Sequence, residues 1–123
     1  MKFLLILFGG GVGSLSRYLL TTAIVTRYGL KFPIVGTMTI NVTGSFLIGL
    51  LMTLITERFG ANSNLRPLLV IGFLGGYTTF SSFEWETYSA IRNGGFWMGI
   101  FNVVGSVTLG YAAVWLGAVL ARR

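Results

Sequence analysis

The chain has no cysteine and no histidine, only three acidic residues and only two prolines. Without thiols there is no disulfide framework, no cysteine nucleophile and no thiolate zinc site. Without imidazole, histidine-based acid/base chemistry is excluded as well. Charged residues make up 10% of the 123 positions, whereas a soluble domain carries about a quarter. No GxxxxGK[ST] phosphate loop occurs, which disfavours a nucleotide-driven pump. An ordinary cytosolic enzyme is ruled out on these grounds, and an intramembrane enzyme is disfavoured because no histidine accompanies the serines and lysine is confined to Lys2 and Lys31.

Apolar residues and glycine are what the chain has in quantity: 54% hydrophobic and 18 Gly, with a mean hydropathy of +0.79. A net charge of +6 would point to nucleic acid in a soluble protein. Here the basic residues mostly flank apolar runs, the pattern of headgroup anchoring, and no nucleic-acid partner is expected. The length allows one domain.

A bilayer core about 30 Å thick needs roughly 20 apolar residues per helix, and four such stretches occur, at about 3–25, 33–56, 67–91 and 96–121. They predict an all-α, four-span membrane domain covering 1–123. Pro33 and Pro67 each fall in the first turn of a span, where a missing N–H costs little. The N-terminal MKFLLILFGGG has the look of a signal peptide but lacks a small-x-small cleavage site, and apolar character resumes beyond Arg17; it is read as the first span. If the spans alternate, Lys2, Arg58, Arg66, Arg122 and Arg123 lie on one side and Arg27, Lys31 and Arg92 on the other. Five against three is a weak bias. It fits either a modest N-terminus-in preference or insertion in both orientations with pairing of inverted copies.

Four helices enclose little interior, so oligomerisation is expected on size alone. Small-xxx-small pairs (Gly9/Gly13, Gly10/Ser14, Ser45/Gly49, Ser106/Gly110) predict close helix contacts. Polar residues at membrane depth tend to mark function. In the second span Thr37, Asn41, Gly44 and Ser45 share a face, and in the fourth Asn102 and Ser106 do. Each has a plain alternative in interhelical hydrogen bonding. The third span reads GFLGGYTTFSSF over 72–83. Gly-Gly followed by Thr-Thr makes a poor continuous helix. A break would free carbonyls near Gly75 and Thr78, which suit a hard cation. Phe80 and Phe83 share a face, and the positive edge of an aromatic ring can meet an anion without trapping it.

GFLGGYTTFSSF resembles the signature of the Fluc (CrcB-like) fluoride channels, and GTMTINVTGSFLIG (36–49) and GGGVGSLSRYLL (9–20) extend the resemblance over essentially the whole chain. The resemblance implies a dual-topology homodimer in the plasma (inner) membrane, two antiparallel copies enclosing two fluoride pathways that export fluoride passively and lower its toxicity. It implies a structural sodium ion at the dimer centre on the carbonyls of Gly75 and Thr78. Asn41, Phe80, Phe83 and Ser106 match the family's pathway residues, with Asn102 one turn before Ser106 and hydroxyls from Thr37, Ser81 and Ser82. Arg17 and Glu86 match its first-helix arginine and its acidic residue beyond the phenylalanines, in structural or gating roles.

Glu84 departs from the family pattern, which has a small hydroxyl residue there; helical spacing puts it near the Phe80/Phe83 face and points Glu86 elsewhere. Two rivals remain. A small multidrug-resistance-type proton-coupled exporter needs a carboxylate in the first span, where this chain has Arg17 and no acid. A non-transporting membrane scaffold would tolerate replacement of Asn41, Phe80 and Phe83 at packing cost alone.

Overall fold

The computed structural model describes residues 1–29, 33–60 and 63–123, and all regular structure in them is helical. Lys31 lies outside the described residues. The helices are α1 (Lys2–Tyr28), α2 (Pro33–Leu54, continued by a π-turn over Ile55–Phe59), α3 (π-wound over Arg66–Leu74 and closed by the α-turn Gly75–Tyr77), α4 (Phe80–Arg92) and α5 (Phe96–Ala121). Pro33 opens α2 and Pro67 sits in the first turn of α3. The end of α2 is turned by Gly60 at φ 74° and the α4–α5 turn by Gly94 at φ 85°, conformations that side chains disfavour.

Two seams of backbone contact organise the bundle. Gly9 and Gly13 of α1 lie against Leu68 and Phe73 of α3, and Gly76 lies against the Gly10 carbonyl. Gly49 of α2 lies against Val114 of α5, and Gly117 against Phe46. Helices in lipid gain little from apolar burial, so close backbone approach and dispersion supply the attraction. The small-residue pairs of the sequence therefore become the seams. The order of the α1–α3 contacts makes those helices parallel, and Gly105 against Met38 followed by Gly110 against Ser45 makes α5 parallel to α2. The pairs Gly99–Ile91 and Asn102–Thr87 make α4 antiparallel to α5. At one end, Arg122 meets Glu57 at 3.6 Å, an exposed ion pair worth little.

The buried core is small, with Ile40, Leu74 and Tyr77 at its centre, while Phe3, Leu7, Phe8, Trp97 and Trp115 face outward. This inside-out distribution is that of a multi-pass membrane protein. Among the described residues, three uninterrupted helices are long and apolar enough to cross a bilayer: α1, α2 with its π-turn, and α5. A fourth crossing needs α3 and α4 together. Between them Thr78 (φ −81°, ψ 156°) and Thr79 (φ −147°, ψ 122°) are extended.

The break therefore falls on the threonines and not on the glycines that precede them. Gly75 is helical at φ −61°, ψ −36°. The glycine pair has a different use: Gly76 lets α1 close in, and β-branched Thr78 and Thr79 take the extended conformation that suits them. Gly76→Ala should destabilise the protein by about 1–3 kcal/mol through overpacking, because its Cβ would run into the Gly10 carbonyl. Gly11→Ala has open space around it and should change stability by less than about 0.5 kcal/mol. Unfolding midpoints in detergent separate the two.

Candidate functional site

Helix α2 is the template for the break. Asn41 accepts the Thr79 N–H on Oδ1 at 2.9 Å and donates from Nδ2 to the Thr79 carbonyl at 2.9 Å. The side-chain amide thus pairs with an extended residue as a neighbouring strand would. Its first task is backbone satisfaction, which membrane depth makes obligatory. Two residues further along, the Thr43 hydroxyl and the Tyr77 hydroxyl lie 2.8 Å apart, and the bare Cα of Gly44 leaves room for the Thr78 methyl. Tyr77 also stacks on Phe73, with centroids 5.6 Å apart and planes at 11°. Helix α4 then begins with Thr79 as its cap, where Oγ1 accepts the Ser82 N–H at 3.3 Å.

In a continuous helix the Thr79 N–H would close on the Gly75 carbonyl. Given to Asn41 instead, it leaves that carbonyl without its helical donor. The Thr78 carbonyl accepts Arg17 Nη1 at 3.3 Å and keeps a second lone pair. Two neutral oxygens beside a break fit a hard cation such as sodium in kind. One protomer provides too few of them for a full coordination shell.

Beside the break runs a groove of about 420 Å³, walled by Asn41, Gly44 and Ser45 of α2, by 74–75 and 78–79, by Phe80 and Phe83 of α4, and by Ser106 and Val107 of α5. The rings of Phe80 and Phe83 are 5.7 Å apart and tilted by 42°. Phe83 is 7% exposed and forms the floor; Phe80, at 74%, is the outer lip. A hydrogen-bonded chain runs from the groove into the α4–α5 seam. Ser106 Oγ donates to Asn102 Oδ1 at 3.3 Å, Asn102 Nδ2 to Thr87 Oγ1 at 2.9 Å, and Thr87 Oγ1 to the Phe83 carbonyl at 2.8 Å. Asn102 is fully buried behind Ser106 and does not line the groove.

The remaining sequence candidates are dispersed. Thr37 donates to Glu86 Oε1 at 2.7 Å, so the carboxylate expected to point elsewhere is turned inward against α2. Its buried Oε2 has no partner among the described residues. Glu84 is exposed on α4. Ser81 is exposed, Ser82 serves the start of α4, and neither lines the groove. Thr87, Thr43 and Tyr77 were not singled out in the sequence. The one signal for Thr87 was its position four residues beyond Phe83, on the same helical face; nothing local marks the Thr43–Tyr77 pair.

Asn41→Ala removes both bonds to Thr79 and leaves its N–H bare at membrane depth, while its carbonyl, at the cap of α4, keeps the first bond of that helix. At about 1–3 kcal/mol for an orphaned group, amide exchange of the segment 78–82 should accelerate roughly five- to a hundredfold. Exchange in α5 should not change. Hydrogen–deuterium exchange by mass spectrometry checks this.

Comparison with known proteins matches the chain over nearly its full length. The family model described as "CrcB-like protein, Camphor Resistance (CrcB)" matches residues 4–118. A protein of Solibacter usitatus named "Fluoride-specific ion channel FluC" is 69% identical over 123 residues, covering 100% of both chains. Proteins of the same name from Coxiella burnetii (46% identical, 100% of this chain and 99% of the relative) and from a Hydrogenobaculum species (46%, with 98% and 97% covered) are also similar. With both seams, the break and the groove inside the matched span, the chain belongs to the CrcB-like family.

Proposed function

We propose that this protein is a passive, fluoride-selective channel of the plasma membrane, assembled from two antiparallel copies. The observation that carries the reading is the chemistry of the groove: it has amide, hydroxyl and aromatic walls, and no residue lining it is charged. A small anion holds its water tightly, so entry requires donors that replace hydration, and release requires that none of them be a deep trap. The second Nδ2 hydrogen of Asn41 is a donor of moderate strength, and the Ser106 hydroxyl, which gives its proton to Asn102, reaches an anion only by leaving that bond. The edges of Phe80 and Phe83 present weak positive charge. The names of the similar proteins point to the same ion.

Hydrogen fluoride is a weak acid that crosses membranes uncharged and ionises inside. A membrane potential supplies about 2.3 kcal/mol per charge per 100 mV. An inside-negative potential of that size would support a roughly fifty-fold lower internal fluoride concentration with no other energy source.

The antiparallel pair draws support from two features. Phe80 is 74% exposed although it sits beside the groove at membrane depth, and the groove is open along that side. A second copy would close it. The charge bias of the connections is weak enough to allow both orientations. Sodium is proposed on the carbonyls of Gly75 and Thr78, shared between copies. When bound, it would offset the cost of holding an anion in a low-dielectric surrounding. Arg17 orients the Thr78 carbonyl.

Purified protein in liposomes loaded with fluoride should release it when a counter-ion shunt is supplied, while chloride stays trapped. Asn41→Asp, or Phe80→Ile combined with Phe83→Ile, should abolish efflux while the assembly persists on size exclusion. Equal leakage of the two halides would remove the selectivity claim, and undiminished efflux in these variants would favour a pathway elsewhere. A proton-coupled exporter would instead respond to an imposed pH gradient.

A further inference from the structure

Four hydroxyl-bearing residues line the groove: Ser45, Thr78, Thr79 and Ser106. Three of them spend their proton on protein acceptors. Thr78 Oγ1 donates to the Leu74 carbonyl at 2.9 Å, Thr79 Oγ1 to Ser82 Oγ at 3.2 Å, and Ser106 Oγ to Asn102 Oδ1 at 3.3 Å. Ser45 differs from the other three, because among the described residues its Oγ makes no hydrogen bond. The usual fate of a hydroxyl inside a helix is a bond to a carbonyl one turn back. Thr39, Thr43 and Thr108 follow that habit; Ser45 does not. It is half-buried, so its proton is neither fully solvated nor committed.

The surroundings of Ser45 are also specific. Its Oγ lies across from Gly110 of α5, 3.4 Å from where a Cβ would stand. Gly110 is one turn beyond Ser106 on α5, so the row Asn102, Ser106 has no third polar side chain there. On α2, Ser45 is one turn beyond Asn41, a rise of about 6 Å. Past Ser45 the groove walls become apolar, with Ile48, Val70 and Leu74.

Resting on the channel reading above, we propose that Ser45 donates a hydrogen bond to fluoride in the pathway: the row of hydroxyls passes from Ser106 on α5 to Ser45 on α2, in the space that Gly110 leaves open. Its free O–H is the one groove hydroxyl that can meet an anion without first breaking a protein hydrogen bond. It therefore sets the rate at the apolar end of the groove, where no other side-chain donor follows.

The test measures fluoride conductance at saturating fluoride in wild type, Ser45→Ala, Ser45→Thr and the double variant Ser45→Ala with Gly110→Ser, with unfolding midpoints taken in parallel. Loss of a donor to an anion should lower conductance by about tenfold in Ser45→Ala, with an unchanged midpoint. Ser45→Thr should retain most of it. The double variant, which returns a hydroxyl to the same gap from the opposite helix, should recover at least half. A role confined to packing predicts the reverse order, since Gly110→Ser adds bulk to the α2–α5 seam. Wild-type conductance in Ser45→Ala overturns the proposal, as does a double variant no faster than the single one. A wild-type protein that passes no fluoride sinks the channel reading itself, and Ser45 with it. Conduction that is insensitive to Ser45 sinks only the assignment made here.

Discussion

A peptide group inside a bilayer has no water to bond with, and that constraint shapes the centre of this protein. Two residues, Thr78 and Thr79, leave the helical conformation at membrane depth, which would be costly if their N–H and carbonyl groups were left bare. A single side chain absorbs most of the cost. Asn41 pairs with both backbone groups of Thr79, and Arg17 from α1 takes the Thr78 carbonyl. The break is thus held from two helices. It exists because α1 and α2 are placed to complete it, and the bare glycine backbones at the α1–α3 and α2–α5 seams are what bring those helices close enough.

The same arrangement produces the chemistry of the groove. Capturing the Thr79 N–H frees the Gly75 carbonyl, and restarting the helix at Phe80 turns that ring outward with Phe83 beneath it. Structural satisfaction and an uncharged, donor-lined corridor are therefore two results of one set of bonds. Asn41 belongs to both, so replacing it disturbs the backbone as well as any ion path. Ser45 belongs to the corridor without holding the break.

Legibility differed between parts of the molecule for physical reasons. The spans, the glycine seams and the pairing of Phe80 with Phe83 follow from local periodicity, and hydropathy and helical spacing report them directly. The interruption of the third crossing is legible in GGYTT, but its exact place is not. Glycine freedom and the extended preference of β-branched threonine both favour a break there, and only the docking of α1 and α2 puts it on Thr78 and Thr79. Glu84 and Glu86 were placed by spacing alone, which cannot say where the neighbouring helix stands. In the fold α2 lies on the Glu86 side, so Thr37 reaches that carboxylate and Glu84 faces outward.

Taken by itself, the order of residues determined that the chain crosses a membrane several times, which faces are narrow enough to touch, and that the third crossing is interrupted. Each of these depends on neighbours within a few positions along the chain. The tertiary structure alone decided which polar groups have partners: Asn41 with Thr79, Thr43 with Tyr77, Asn102 with Thr87, and Ser45 with none among the described residues. Those pairings join residues 15 to 38 positions apart. A hydrogen bond acts only over about 3 Å, so what it joins is settled by how the helices dock.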